Sequence, residues 1–204
     1  MKKVLLINGS PHEAGCTFTA LSEVAKALEA CGVHSEIVWI GRGAVHGCIA
    51  CRACRELGRC VFDDDACNAI AQKLRESDGV VIGSPVYYAG ANGALCAVMD
   101  RAFYSSGARF DGKVGAAVVS CRRGGASATF DRLNKYFTIS NMPIVSSQYW
   151  NSVHGNTPQE VLQDKEGLQT MRTLGRNMAW MLQALDGMPH PEREAKTPTN
   201  FIRK

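Results

Sequence analysis

Long apolar runs are missing from this chain. The residues after Met1-Lys2-Lys3 are too few for the core of a secretion signal and no stretch approaches a membrane span, so a cytoplasmic protein without a membrane partner is expected. Basic tracts are missing as well. The net charge of +4 comes from scattered Lys and Arg with no interleaved aromatics, which leaves nucleic acid no footprint. There is no G-x-x-x-x-G-K-S/T, hence no lysine to reach a nucleoside triphosphate and no hydroxyl placed for magnesium. Gly41-Arg42-Gly43-Ala44-Val45-His46-Gly47 stops one residue short of the dinucleotide fingerprint G-x-G-x-x-G, with the wrong glycine spacing and a loop rather than a helix behind it. No internal repeat is found. With 46% hydrophobic and 21% charged residues, 204 residues suffice for one full core, which we read as a domain over 1–187 and a proline-bearing tail over 188–204.

What is there begins with KKVLLINGSPHEAGCTFT, Lys2 to Thr19. Val4 to Ile7 is an unbroken apolar run, the pattern of a strand buried on both faces. It stops at Asn8-Gly9-Ser10-Pro11, a turn, after which Leu21, Val24, Ala25 and Leu28 fall at helical spacing. Strand, small-residue loop and helix start together outline an anion site, because unpaired N–H groups and the dipole both favour negative charge at a helix N-terminus. Ser10, Thr17 and Thr19 add hydroxyl donors without bulk. These residues taken alone leave two readings open, a ligand loop and an ordinary capped turn.

Downstream, strands alternate with helices. His34 to Ile40 reads as a second strand, and Gly41 to Cys60 as a glycine- and cysteine-rich loop. Asp63-Asp64-Asp65 then caps a helix marked by Cys67, Ile70, Ala71 and Leu74. A third strand, Gly79 to Ile82, ends at Gly83-Ser84-Pro85; Leu95, Val98, Met99, Ala102 and Phe103 mark the next helix. Lys113 to Ser120 is the fourth strand and Met142 to Val145 the fifth, with a helix carrying Phe130, Leu133 and Phe137 between them. Thr157-Pro158-Gln159-Glu160 forms a capping box with proline at the first helical position and opens a C-terminal helix. That helix is weakened at Gly167 and stopped at Gly187, and its apolar stripe includes Met171, Met178 and Met181. Such alternation implies a doubly wound α/β fold, five parallel strands with right-handed crossovers and ligands beyond the strands' carboxyl ends. The pattern itself does not give the strand order.

Nine cysteines in a chain without a secretion signal argue against a disulfide framework. Cys31, Cys96 and Cys121 sit among apolar or small residues and read as small core side chains. Cys48, Cys51, Cys54 and Cys60 are spaced C-x2-C-x2-C-x5-C, which brings four thiolates into one short loop and suits a 4Fe-4S cluster. An all-cysteine zinc site and four metal-free thiols are the alternatives.

G-S-P-x-x-x-G-x-T directly after the first strand resembles the FMN-phosphate loop of the flavodoxin-like NAD(P)H-dependent FMN reductases, a family that includes the iron-sulfur flavoproteins. GSPHEAGCT, the cysteine insert from Gly47 to Asp65 and GSPVYYAGANGALCAVMDR from Gly83 to Arg101 carry the resemblance, which covers nearly the whole chain. It implies a five-stranded flavodoxin-like sheet of order 2-1-3-4-5 with a C-terminal helix and tail. It also implies FMN phosphate at Ser10, His12, Cys16, Thr17, Phe18 and Thr19. His12 stands where the family usually has Arg, which implies a weaker or pH-dependent grip.

Two further loops join the first in this reading. Pro85, Val86, Tyr87, Tyr88, Ala89 and Asn92 lie where backbone would approach the flavin ring, with Tyr87 or Tyr88 to cover it. Ser120, Arg122, Gly124 and Gly125 would place N–H groups or an arginine at its pyrimidine end. No nucleophile–base pair is evident, and none is required when the flavin carries the electrons. The expected function is therefore FMN-dependent oxidoreduction, with NAD(P)H reducing a flavin, a quinone or a similar small acceptor. The alternative is an iron-sulfur flavoprotein that passes electrons from ferredoxin-like partners. A flavin at a sheet edge needs a cover, and the methionine stripe looks too apolar for a free surface, so a homodimer or homotetramer is expected.

Overall fold

The computed structural model describes residues 1–195, 197 and 199; the end of the expected tail, residues 196, 198 and 200–204, lies outside the described residues. Five parallel strands form the sheet: β1 (Lys3–Asn8), β2 (His34–Trp39), β3 (Gly79–Tyr87), β5 (Val114–Cys121) and β6 (Ser152–His154). A two-residue strand, β4 (Gly90–Ala91), pairs antiparallel with the end of β3. The order is β2-β1-β3-β5-β6, so the five parallel strands follow the expected 2-1-3-4-5.

The unbroken apolar runs are explained by what covers them. Val4 and Leu6 of β1 point to one core, Leu5 and Ile7 to the other, and Val81 and the pair Val80 and Ile82 of β3 divide in the same way. One face is covered by α1 (Cys16–Ala30) and α7 (Lys165–Ala184), the other by α3 (Cys67–Arg75), α4 (Gly93–Ser106) and α5 (Ala126–Ile139). Helices α1 and α7 approach closely because Gly175 faces Ala27: a Cβ there would come within 2.7 Å of the Ala27 Cβ and 2.8 Å of the Val24 carbonyl oxygen. Arg172 closes the same contact by donating to Glu23 at 2.6 Å.

Several sequence expectations are corrected. The fifth strand is Ser152–His154, not Met142–Val145; Ile144 makes only an isolated bridge to Gly115, and Met142 and Val145 are buried as loop residues. Strand β3 continues through Gly83-Ser84-Pro85 to Tyr87. Pairing with β1 ends at Gly83, so Pro85 has one parallel neighbour, Ser120, and its missing N–H opposes no second strand. The cysteine loop contains a single helical turn, α2 (Cys54–Leu57). The capping box is real, with Thr157 Oγ1 accepting from Glu160 N at 3.2 Å, but it starts only the short α6 (Pro158–Val161). The long helix starts afresh at Asp164, whose carboxylate accepts from Gly167 N at 2.9 Å. Gly167 is no weak point; it is buried where a Cβ would meet Asp164 and the Ser152 carbonyl. Met171 and Met178 are buried against α1, so they belong to this chain's own core and not to an exposed stripe.

From Met188 to Ala195 the chain has no helix or strand; His190 packs on Gly112 and Arg193 pairs with Asp111. This segment covers a cavity of about 940 Å³ beside Lys2, Asp78 and Lys113, next to the starts of β1, β3 and β5 and away from their carboxyl ends. No helix among the described residues is long and apolar enough to cross a membrane.

Candidate functional site

The loop between β1 and α1 is built by its own polar residues. Asn8 is buried; its Oδ1 accepts from Ser10 N at 3.1 Å and its Nδ2 donates to the Glu13 carbonyl at 2.9 Å. Ser10 Oγ accepts from His12 N at 3.1 Å, and Trp39 Nε1 donates to the Ser10 carbonyl at 2.7 Å. Helix α1 has Gly15 at its N-cap, with no capping side chain and no acidic residue in its first turn. Thr19 N reaches back to the Gly15 carbonyl at 3.0 Å, which leaves the N–H groups of Cys16, Thr17 and Phe18 without a partner among the described residues. Three unpaired donors at the start of a 15-residue helix form a cradle of partial positive charge. The Ser10 and Thr17 side chains are buried here; Cys16, Phe18 and Thr19 are half-buried, and His12 is exposed at the rim.

The second loop meets the first through backbone. Gly9 N donates to the Gly83 carbonyl at 2.9 Å, and Asn92 Nδ2 donates to the Gly9 carbonyl at 2.7 Å while its Oδ1 caps α4 at Ala94 N. Gly83 has to be glycine, since a Cβ would lie 2.9 Å from Thr17 Cγ2 and 2.8 Å from Leu21 Cδ1. Pro85 and Val86 are half-buried, and the hairpin to β4 turns at Tyr88 and Ala89 with φ of 49° and 58°. Positive φ at both positions is the mark of a type I′ turn, which normally takes Asn and Gly. Tyr88 therefore sits on a strained tip with its side chain fully in solvent, and Tyr87 is exposed beside it.

The third loop closes the edge. Thr17 Oγ1 and Ser120 Oγ are 2.8 Å apart. Gly125, at φ 91°, caps α5, and a Cβ there would lie 2.7 Å from the Ala89 Cα, so the second and third loops touch. Arg122, Arg123 and Gly124 are exposed, and neither arginine is in an ion pair among the described residues. A fourth segment, which the sequence did not announce, joins them: Gly155 N donates to the Cys121 carbonyl at 3.1 Å, and Cys16 Sγ lies 3.8 Å from the Gly155 carbonyl. Burial pushes the Cys16 and Cys121 thiols up, which disfavours the thiolate at both. His154 lies against Asp164 and His46 against Asp64, both histidines half-exposed.

The cysteine insert stands apart from this edge. Cys48 and Cys51 are exposed, Cys54 is half-buried and Cys60 is buried, and all four line one hollow of about 20 Å³ together with Phe62, Arg101 and Tyr104. Among the described residues no three His, Cys, Asp or Glu side chains are drawn together as a metal site, so the expected ligand set shares a hollow without being closed. The backbone there is unusual: Ala50 and Arg52 have φ of 54° and 62° on either side of Cys51. Positive φ at non-glycine residues is strained, and such strain gathers at functional sites. Of the cysteines read as core, Cys121 is buried and Cys31 and Cys96 only half-buried, whereas Cys67, read only as a helix marker, is fully buried and its thiol is pushed up to about 12, chiefly by burial.

Sequence reasoning missed Arg101. It is fully buried on α4, pairs with Asp65 and reaches into the insert. Burial works to raise the Asp65 pKa, but hydrogen bonding and charge from Arg101 outweigh it and the net direction is down. Asp65 accepts from Cys67 N at 3.0 Å and is the one of the three aspartates that takes a backbone N–H of α3; Asp63 accepts from the Asn68 side chain and pairs with Arg59, and Asp64 lies against His46. The one available signal was an arginine inside an apolar helical stripe.

A doubly wound sheet with an anion cradle at the carboxyl ends of β1, β3 and β5 defines a flavodoxin-like protein. An archaeal flavodoxin structure aligns over 90% of this chain and 99% of its own, with TM-score 0.61 and 14% identity. The structure of RosB with bound 8-demethyl-8-formylriboflavin-5'-phosphate aligns over 100% and 93%, with TM-score 0.75 and 12% identity. Residues 2–157 match the NADPH-dependent FMN reductase family. An iron-sulfur flavoprotein of Methanocaldococcus jannaschii is 32% identical over 191 residues, 90% of this chain and 98% of the relative. The chain belongs to the NADPH-dependent FMN reductase family, in its iron-sulfur flavoprotein branch, and is an FMN-dependent oxidoreductase.

Proposed function

We propose that the protein uses NAD(P)H to reduce a small acceptor, a flavin or a quinone, by way of FMN held at the three-loop edge. The observation that carries the reading is the cradle of unpaired Cys16, Thr17 and Phe18 N–H groups, which suits the charge of a phosphate monoester. Thr17 and Ser10 would add hydroxyl donors to that phosphate. Backbone of Pro85 to Asn92 would lie along the ring, with Tyr88 free to cover it. Arg122 and the N–H groups after Gly125 belong to the loop at the same edge, where fixed positive charge would favour the reduced cofactor. FMN, once bound, supplies the electron chemistry; the protein binds it, orients it and limits water.

Cys48, Cys51, Cys54 and Cys60 support a second reading, a 4Fe-4S cluster and exchange of electrons with a ferredoxin-like partner. Four thiols around one hollow are the right donors for such a cluster. We also propose a homodimer or homotetramer. Its support is a set of exposed aromatics, Trp180 on α7 and the neighbouring Tyr149 and Trp150, whose tilted rings lie 5.0 Å apart. Oxidation of NADPH by the FMN-loaded protein with a quinone present tests the first reading. Reduction only by a protein donor favours the second, and no reduction by either contradicts both. Light scattering that returned the 22.1 kDa of one chain at micromolar concentration contradicts the oligomer.

A further inference from the structure

We propose that Arg101 is a positioning residue for the cysteine insert, one that anchors Cys60 as the fixed ligand on which Cys48, Cys51 and Cys54 close around a cluster. The inference rests on the cluster reading above and concerns what this chain does to prepare for it.

Its ground is an asymmetry among the four cysteines. Arg101 Nε donates to Cys60 Sγ at 3.1 Å, and no other sulfur of the four has a hydrogen-bond partner among the described residues. The backbone of Cys60 is held as firmly: Asn68 Oδ1 accepts from its N–H at 2.9 Å, and Asn68 Nδ2 donates to its carbonyl at 3.1 Å. Cys48 and Cys51 lie exposed beside the strained backbone of Ala50 and Arg52, with no such anchor on their sulfurs among the described residues.

Arg101 is itself fixed by the insert it organises. Nη1 donates to Asp65 and, at 3.1 Å, to the His46 carbonyl; Nη2 donates to the Phe62 carbonyl at 3.3 Å. The guanidinium carbon lies 5.4 Å from the Phe62 ring centroid, and His46 stacks on that ring at 4.4 Å. A flat five-donor cation can serve one carboxylate, two carbonyls and a sulfur at once, which an ammonium cannot. Asp65 offsets its charge, so the guanidinium is retained in a fully buried position with its Nε edge left for sulfur. An N–H aimed at a ligand sulfur stabilises the more reduced cluster and holds the ligand in place. Arg101 is nine residues beyond Asn92, which caps the same helix at the flavin edge; that is about 13 Å along the axis. It can therefore act on the insert without touching the flavin.

Two variants test this, read by iron release to a chelator, cluster midpoint potential and FMN titration after anaerobic reconstitution. Arg101→Lys keeps a cation opposite Asp65 and loses the donor to Cys60. Arg101→Met with Asp65→Asn removes both charges together, so no carboxylate is left buried alone. In both we expect iron release about 10- to 100-fold faster, a lower midpoint potential and unchanged FMN affinity. Wild-type release rates and potential in both variants would overturn the role given to Arg101 while the cluster stands. A wild-type protein that takes up neither iron nor sulfide overturns the cluster reading, and the proposal with it.

Discussion

Thr17 and Ser120 meet hydroxyl to hydroxyl at 2.8 Å, both buried, and join the first turn of α1 to the end of β5. One hydroxyl hydrogen is spent on the contact and the other remains, next to the free N–H groups of α1. The N–H cradle of α1 and the third loop are thus one construction. Thr17→Val keeps the shape and removes the hydroxyl that would donate a charge-assisted hydrogen bond to a bound phosphate. It should weaken FMN binding by about 1.5–3 kcal/mol, roughly ten- to a hundredfold in affinity by flavin fluorescence titration. Unchanged affinity would place the phosphate elsewhere.

Gly83→Ala would set a methyl 2.9 Å from Thr17 Cγ2 and 2.8 Å from Leu21 Cδ1, against a helix held on both sides. Overpacking there should cost about 1–3 kcal/mol in urea unfolding and push α1 off the sheet edge. Loss of FMN affinity should accompany it. A stable variant with full affinity would show that α1 can yield.

The Tyr88-Ala89 turn gives up stability that a better turn sequence would recover. Replacing the pair by Asn-Gly suits positive φ at both positions and should stabilise the FMN-free protein by about 1 kcal/mol. If Tyr88 covers the ring, FMN should dissociate faster from this variant. Greater stability with unchanged flavin release would make Tyr88 a bystander.

Asp65→Ala leaves the Arg101 guanidinium buried without its carboxylate, both side chains being 4% exposed or less. The expected loss is about 3–5 kcal/mol in denaturant unfolding. Asp186→Ala, which removes the exposed partner of Lys2, should change stability little. Equal effects of the two would mean that the insert is not organised around Arg101.

The sequence disclosed the fold where burial was two-sided and misread it where burial was slight. Val4–Ile7, Val80–Ile82 and Val114–Val119 are covered on both faces and are legible as strands for that reason. The edge strand Ser152–His154 buries Val153 almost alone, so the more apolar Met142–Val145 carries the stronger strand pattern. Pro85 looked like a strand end because a missing N–H is costly only where a neighbour asks for it, and neighbours are a tertiary fact. Alternation of elements showed helices crossing over; the order of strands came from resemblance. The G-S-P loops marked their glycines, yet not that Gly83 makes room for Thr17. Arg101 was hidden for a different reason: a single arginine in a helix is ordinarily solvated, and Asp65, 36 residues away, shows nothing in pattern that pairs with it.

The most direct test of the central claim is the anaerobic absorbance spectrum of the protein titrated with FMN and then with NADPH. We predict stoichiometric binding with a perturbed flavin band, and bleaching of that band on addition of NADPH or of a reduced protein donor. A chain that folds but leaves the FMN spectrum and fluorescence unchanged at any ratio would contradict the account.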